Sequence, residues 1–347
     1  MRLTVLSSAI ITALCTQNPA LAEDKSSDTN ITLSGVVEIE AAHSSPYAGP
    51  SSSDISVATL EFGVEGRVNE EVSAEIVLLH EEDDEDTNFE VDVATLNYRP
   101  KNSNWSVVAG QTFVPFGSFE SNMVSDPFTL EMGETRESAL QANYESGNLA
   151  TAFYLFNGSN KQNSGEDESV DNYGINLTYK SEGDVNFTGS IGYINDIGDS
   201  DGLQDTINAT LGSNDILKHI AGTSVSAIIE TGKFNFIAEY IAATEHFTAT
   251  EINFNGLGAK PSAINVEAGY GFELSDNPAT FAVAYQSTDE ALALGLAESR
   301  TSAVLAVDVM ENTALALEIS QDKDYEVADG GTGETARTIT AQLAIEF

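Results

Sequence analysis

Residues 31–43 read ITLSGVVEIEAAH, and apolar and polar side chains alternate along them. One face carries Ile31, Leu33, Gly35, Val37, Ile39 and Ala41, and the other carries Thr32, Ser34, Glu38 and Glu40. Because successive side chains of a strand point to opposite faces, this pattern predicts a β-strand with one apolar and one polar face. The alternation recurs in residues 233–242 (KFNFIAEYIA) and 264–274 (INVEAGYGFEL). No segment of the sequence shows a convincing helical periodicity.

About 16 such segments follow one another along the chain, a strand number within the range of bacterial outer-membrane barrels. They lie near residues 31–42, 55–68, 71–82, 89–98, 105–114, 138–146, 149–158, 170–180, 185–195, 220–231, 233–244, 262–274, 279–288, 299–310, 313–322 and 335–347. Links after even-numbered segments are short, as at 69–70 and 311–312, whereas links after odd-numbered segments are longer and acidic. We therefore predict an all-β fold for residues 31–347, a transmembrane antiparallel up-and-down β-barrel of about 16 strands with its long loops outside the cell.

The N-terminal residues predict export. A basic Arg2 precedes an apolar run at residues 3–14, and Ala20-Leu21-Ala22 forms a small-x-small cleavage site. These features are typical of a secretory signal peptide. We predict a cleavable signal peptide at residues 1–22, a polar leader at 23–30 and localisation in the bacterial outer membrane. The one cysteine, Cys15, lies within the predicted signal peptide, so the mature chain would have no disulfide and no thiolate chemistry.

The end of the chain predicts the machinery that inserts it. Phe347 is the final residue and closes an alternating segment. A terminal aromatic on such a segment resembles the signal by which outer-membrane barrels are recognised for insertion. We therefore expect the barrel-assembly machinery as a partner, together with outer-membrane lipid and lipopolysaccharide. The oligomeric state stays open, and a homo-oligomer is one alternative.

The charge balance excludes some partners. The chain has 14 Lys and Arg against 55 Asp and Glu, a net charge of −41, which excludes nucleic acid as a partner. On the polar faces of the strands we predict an acidic lining of the lumen, formed by Glu61, Glu65, Glu75, Asp92, Glu239 and Glu267. Carboxylates in a narrow bore would attract cations and exclude anions. The alternative is a solvated lining that has no part in selectivity.

Catalytic and metal-binding motifs are not apparent. The sequence has no G-x-S-x-G, H-E-x-x-H or P-loop motif, and we predict neither an enzyme nor a cofactor. The acidic run at residues 80–86 (HEEDDED) offers oxygen ligands for Ca²⁺ or Mg²⁺, but it lacks the spacing of an EF-hand and is interpreted as a solvated loop. His43, His80, His219 and His246 fall at predicted outer strand ends, and we interpret them as loop residues and predict no metal site.

Residues 110–138 (GQTFVPFGSFESNMVSDPFTLEMGETRES) interrupt the alternation after strand 5. We predict an ordered loop, either inside the bore or across its mouth. The candidate ligand and constriction residues are Phe116, Phe119, Ser121, Asn122, Met123, Ser125, Asp126, Phe128, Glu131, Glu134 and Arg136. The aromatic and methionine side chains could contact an organic ligand, the Ser and Asn side chains could hydrogen-bond to it, and Arg136 could bind its carboxylate. The alternatives are a loop packed against the wall and an Arg136 neutralised by Glu134 and Glu137.

The same loop carries a family resemblance. Pro115-Phe116-Gly117, followed by SNMVSDPFTLEMGETRE at residues 121–137, resembles the signature of the LbtU family of siderophore porins. Weaker similarity extends to SGVVEIEA, VLLHEED and VDVATLNY earlier in the chain. The resemblance implies a porin that imports ferric siderophore without a plug domain. The alternative is a general cation-preferring diffusion porin for small solutes, with no dedicated ligand.

Overall fold

The computed structural model of the protein describes residues 30–82, 89–162 and 169–347. The predicted signal peptide and nearly all of the leader lie outside these residues. The described chain forms a closed barrel in which each strand pairs antiparallel with its neighbours in chain order and the last strand pairs with the first. The sixteen barrel strands are β1 (Ile31–Ser45), β2 (Ser52–Arg67), β3 (Val72–His80), β4 (Glu90–Tyr98), β5 (Trp105–Phe113), β6 (Arg136–Ser146), β7 (Leu149–Phe156), β8 (Asn172–Ser181), β9 (Val185–Ile194), β10 (Gly222–Thr231), β11 (Phe234–Ala243), β12 (Ser262–Leu274), β13 (Asn277–Asp289), β14 (Ser299–Met310), β15 (Thr313–Lys323) and β16 (Thr335–Glu346).

The predicted barrel is confirmed in strand number and order. The strand ends lie close to the predicted ones, and the larger differences are at β1, which ends at Ser45 rather than 42, and β2, which begins at Ser52 rather than 55. The links after even-numbered strands are short, as at 147–148 and 275–276, whereas those after odd-numbered strands reach the lengths of 114–135 and 195–221. The two kinds of link therefore emerge at opposite ends of the barrel.

The alternation of side chains along each strand produces the two faces of the barrel. On β11, Phe236 and Tyr240 are 43% and 45% exposed on the outer face. Asn235 and Glu239, on the inner face of the same strand, are 2% and 3% exposed. An apolar exterior around a polar interior is the arrangement that a lipid bilayer requires of a barrel.

The barrel closes at a seam between its first and last strands, β1 and β16. Phe347 exchanges backbone hydrogen bonds with Gly35, at 2.9 and 3.0 Å. The Phe347 ring lies over Gly35, and a Cβ atom added to Gly35 would come within 2.9 Å of the ring carbon atoms Cε1 and Cε2. The absence of a side chain at Gly35 therefore makes room for the terminal aromatic ring.

Several short elements lie in the long links. The helices are α1 (Phe128–Gly133) and α2 (Asp201–Leu211), and single 3₁₀ turns lie at Ile197–Asp199, Leu292–Leu294 and Val327–Asp329. Two-residue strands pair Lys161–Gln162 with Asp215–Ile216 and Asn253–Phe254 with Leu257–Gly258. Among the residues described above, no helix has both the length and the apolar character needed to cross a bilayer.

Helix α2 corrects the expectation that no segment has helical periodicity. Its buried residues are Leu203 and Ile207, and Leu211 packs against the same core. These three residues are spaced four apart, which places them on one side of a helix. The pattern is therefore present in the sequence, but it covers a single helix within an acidic link.

The largest apolar core is formed where long links fold together inside the barrel. It joins residues of the links 114–135, 195–221, 244–261 and 290–298 with inward-facing strand residues. Its members include Phe116, Phe119, Phe128, Met132, Ile197, Leu203, Ile207, Ile241, Phe247, Ile252 and Ala297. This core therefore fills part of the bore.

Candidate constriction site

The link 114–135, here called the constriction loop, folds into the bore and is held there by carboxylates of the inner wall. Glu239 on β11 accepts hydrogen bonds from the backbone N–H of Ser118 at 2.6 Å and of Phe119 at 3.1 Å. It also accepts one from the Thr129 hydroxyl at 2.9 Å. Buried backbone N–H groups need acceptors, and a carboxylate is a strong one. Glu239 therefore anchors the first part of the loop.

Two further glutamates anchor the middle of the loop. Glu267 on β12 accepts hydrogen bonds from the Ser121 hydroxyl at 2.6 Å and from the Asn122 backbone at 2.7 Å. Glu318 on β15 accepts them from the Ser125 backbone at 3.0 Å and from its hydroxyl at 2.6 Å. The polar loop residues singled out from the sequence thus donate to the wall. They are held in place by the barrel and have little capacity left for a solute.

The start of α1 is held by an amide and an arginine. Gln286 on β13 accepts a hydrogen bond from the Phe128 backbone N–H at 2.9 Å. The Arg300 guanidinium lies 4.6 Å from the centre of the Phe128 ring, within the range of a cation–π contact. Arg300 also forms a two-point ion pair with Asp322 on β15, at 2.7 and 3.0 Å. The first residue of α1 therefore packs on an arginine that is itself paired with a carboxylate.

The apolar side chains of the loop are packed. Phe116, Met123 and Phe128 are at most 2% exposed, and Phe119 is 8% exposed. Phe116, Phe119 and Phe128 belong to the core inside the barrel, and Met123 packs on an inner wall of small residues on β13 to β16. This is the packed-loop arrangement that the sequence left open as an alternative to ligand contact. These aromatic rings offer very little accessible surface to a solute.

The accessible part of the loop is acidic. Asp126, Glu131 and Glu134 are half-buried or exposed, and within the described part of the chain none of them accepts a hydrogen bond or ion pair from a protein group. Burial raises the pKa of Asp126 to about 7, with further contributions from carboxylates that include Glu131, Glu38 and Glu40. Burial also raises the pKa of Glu134 to about 8, with Asp201 the largest charged contributor.

The wall that faces Asp126 is acidic as well. Glu38 and Glu40 on β1 act electrostatically on Asp126, so these two carboxylates of the wall lie near the loop. On the neighbouring strands, Glu65 and Glu75 are direct partners in the register of β2 and β3. Acidic groups of the loop and acidic groups of the wall therefore lie near one another.

The six predicted lining residues fall into two groups. Glu61, Glu65 and Glu75 are half-buried on the inner face, whereas Glu239 and Glu267 are 3% and 2% exposed beneath the loop. Asp92 is fully buried at a register shift between β3 and β4. Three of the six therefore line the bore. Of the other three, Glu239 and Glu267 hold the constriction loop and Asp92 pairs with Arg136.

Arg136 is engaged by two carboxylates. Its guanidinium donates to Glu90 at 2.7 and 3.2 Å and to Asp92 at 2.9 Å. Its partners are thus on β4, and neither Glu134 nor Glu137 forms an ion pair with it among the described residues. An arginine bound in this way has little capacity to clamp the carboxylate of a solute.

Three anchoring residues were missed in the sequence as members of the site. Glu318, Gln286 and Asn235 contact the constriction loop, and Asn235 donates to the Asn122 side chain at 2.7 Å. All three lie on the polar faces of predicted strands, so the alternation predicts that their side chains point into the barrel. It contains no signal of which loop residue each would meet.

The four histidines have separate surroundings. His43 contacts the Ser53 hydroxyl at 2.8 Å, His246 contacts the Gly258 carbonyl at 2.9 Å, and His219 contacts the Asp196 carboxylate at 2.7 Å. Within the described residues, no group of three or more His, Cys, Asp or Glu side chains is arranged to hold a metal ion. Most of the acidic run at 80–86 lies outside those residues.

Comparisons with known proteins agree with the barrel. A sequence profile of the Gram-negative porin family matches residues 7–326. A UPF0422 protein of Legionella pneumophila (strain Paris) is 28% identical over 353 residues, which cover 91% of this chain and 66% of the relative, so the chain spans just under two thirds of that protein.

Two solved structures share the fold at low sequence identity. An anion-selective porin from Comamonas acidovorans superposes with a TM-score of 0.61 at 12% identity, over 91% of this chain and 99% of that one. The outer-membrane protein OmpT of Vibrio cholerae, in its trimer form, gives a TM-score of 0.52 at 11% identity, over 91% and 99%. At such identities the likeness extends to the fold and not to selectivity. With the family profile covering most of its length, the chain belongs to the Gram-negative porin family and has the fold of a porin of the bacterial outer membrane.

Proposed function

We propose that this channel passes small cations and neutral solutes in preference to anions. The observation that carries the proposal is the set of Asp126, Glu131 and Glu134, acidic groups of the constriction loop that form no ion pair among the described residues. Glu38 and Glu40 face them from the wall. Because the apolar core narrows the bore, a passing ion comes within the roughly 10 Å over which charges act at physiological salt. A negative potential there favours cations.

Two arginines that contact the constriction loop or its end do not offset this potential. Arg136 is bound by Glu90 and Asp92, and Arg300 is bound by Asp322. Each arginine is therefore paired with carboxylates of its own, and Arg300 acts on Glu131 only through space, without an ion pair. Above the pKa values of Asp126 and Glu134, about 7 and about 8, these ionised acids outweigh the paired arginines in the field along the passage.

Uptake of a ferric siderophore is the second candidate, and the resemblance of the loop sequence favours it. The geometry limits the chemistry of such a ligand. The aromatic rings of the loop are packed away, and its accessible groups are carboxylates. A ferric siderophore that binds here would be neutral or cationic, and its contacts would be with Asp126, Glu131 and Glu134.

Recording from single channels in a planar bilayer with a salt gradient tests the proposal. At about pH 9, where Asp126 and Glu134 are ionised, the wild-type reversal potential should indicate cation preference, and Asp126→Asn, Glu131→Gln and Glu134→Gln together should move it toward zero. A control with the same change of charge is Glu182→Gln, Asp184→Asn and Asp276→Asn, in the short turns at the other end of the barrel. Anion preference of the wild type, or equal shifts in both triple variants, would contradict the proposal.

Ferric siderophores added to the same bilayer separate the two candidates. A dedicated siderophore porin should show current blocked by a neutral or cationic ferric siderophore, and the block should weaken in the loop variant. A general diffusion porin should show cation current that no siderophore blocks.

Export and assembly complete the proposed function. Residues 1–22 direct secretion and are cleaved after Ala22, which N-terminal sequencing of the mature protein would test. Phe347 contacts the barrel-assembly machinery, and lipopolysaccharide surrounds the long loops. The barrel assembles as a homo-oligomer, for which the trimer form of OmpT is a precedent in the same fold. Light scattering of the purified protein in detergent would give the number of subunits.

A further inference from the structure

A second link lies against the constriction loop. Helix α2 belongs to the link 195–221 and packs beside α1. The backbone N–H of Asp201 donates to the carbonyl of Glu134 at 2.9 Å. The Asp201 carboxylate accepts from the backbone N–H of Arg136 at 3.3 Å. The end of the constriction loop is thus tied to the first turn of α2.

The contact between the two helices depends on a glycine. A Cβ atom added to Gly202 would overlap the carbonyl oxygen of Glu131 and lie 3.3 Å from its carbonyl carbon. Because both atoms belong to the backbone, no rotation of a side chain could relieve the overlap. Glycine is otherwise a poor helix residue, so its presence in the first turn of α2 is consistent with a packing requirement.

Helix α2 has little room to move away from α1. Leu203 and Ile207 are fully buried in the apolar core inside the barrel. The same core contains Phe128 and Met132 of α1. Close-packed cores transmit a displacement and do not absorb it. A side chain at position 202 would therefore push α1 toward the passage.

We infer that Gly202 is a positioning residue of the channel, which sets the distance between α1 and α2 and thereby the place of Glu131 and Glu134 in the passage. The constriction is then built by two links, and the helix of the second supports the first. This inference rests on the proposed function, since it gives Glu131 and Glu134 their part in selectivity. Gly202 itself touches no solute.

Gly202→Ala, with Gly66→Ala as a matched control, tests this assignment. Gly66 lies on β2, and a Cβ atom there would meet no atom within 4 Å. The conductance of single Gly202→Ala channels should fall by roughly a factor of two, because flow through a narrow constriction depends steeply on its width. Gly66→Ala should keep the wild-type conductance. Resistance of both barrels to unheated SDS would confirm that they fold.

A second variant perturbs the contact in the opposite sense. Leu203→Ala removes the apolar anchor of α2 without crowding α1, so conductance and current noise should rise. Wild-type conductance in both Gly202→Ala and Leu203→Ala, or changes opposite to these, would overturn the inference, and if Gly202→Ala does not fold, Leu203→Ala decides alone. Failure of the proposed function appears separately, as a wild-type reversal potential without cation preference.

Discussion

Glu267 on β12 accepts two hydrogen bonds from Asn122 in the constriction loop, one from its backbone N–H at 2.7 Å and one from its side-chain amide at 2.9 Å. Residues 145 positions apart are thereby joined across the bore. With Glu239 and Glu318, Glu267 shows that part of the negative charge of this porin is structural. The acids that hold the loop and the acids that face the passage are different residues.

Glu267→Gln should loosen the constriction loop. One carboxylate oxygen becomes an N–H donor, so a buried donor of Ser121 or Asn122 loses its acceptor, at a cost of about 1–3 kcal/mol. We expect a lower unfolding temperature in detergent and noisier single-channel currents. Glu182→Gln is the control, because Glu182 is exposed in the short turn after β8, away from the loop. Equal behaviour of the two variants would show that Glu267 does not hold the loop.

The strands could be predicted from the sequence because their signal is local. Alternation is established between successive residues, and a lipid exterior enforces it along every strand. The loop contacts have no local signal. Glu239 meets Ser118 across 121 positions, and only the closure of the barrel brings them together.

Proximity in the sequence was misleading for Arg136. Glu137 is its neighbour, but adjacent side chains of a strand point to opposite faces. Its actual partners, Glu90 and Asp92, lie on β4 and are brought near by the folding of the barrel. The burial of the loop aromatics could not be predicted from the sequence either, because it depends on a core assembled from several separate links.

The cation preference of the channel should increase with pH. Asp126 and Glu134 have pKa values raised to about 7 and about 8, by burial and by neighbouring carboxylates. Below these values the two groups are protonated and neutral, and above them they are negative, so the local potential becomes more negative as pH rises. Reversal potentials recorded between about pH 5 and pH 9 should move toward that of a cation-selective pore. In Asp126→Asn with Glu134→Gln the curve should flatten, and a curve of unchanged shape would assign the titration to other groups.

Arg136→Ala should reduce stability more than it reduces transport of anions. Asp92 is fully buried, and removal of its cation leaves an uncompensated carboxylate, at a cost of about 3 kcal/mol. Denaturant unfolding of the purified barrel would measure this loss. Arg67→Ala removes an exposed ion pair with Glu65, 3.2 Å long, and should cost less than about 1 kcal/mol. A stability unchanged by Arg136→Ala, together with weaker uptake of an anionic solute, would instead favour the ligand clamp.

Loss of the Phe347 ring and displacement of that ring from Gly35 should affect assembly and stability differently. Phe347→Ala removes both the predicted assembly signal and the contact over Gly35, so we expect little folded barrel in the outer membrane. Gly35→Ala leaves the terminal aromatic in the sequence but forces its ring off β1, since an added Cβ would lie within 2.9 Å of it. If assembly depends on recognition of Phe347, Gly35→Ala should reach the membrane in normal amount and unfold at a lower temperature.

Quantitative blots of outer-membrane fractions, with and without heating in SDS, measure both quantities. Equal loss of folded protein in the two variants would mean that Phe347 acts through the seam, and that its place at the end of the chain is a packing requirement of the closed barrel.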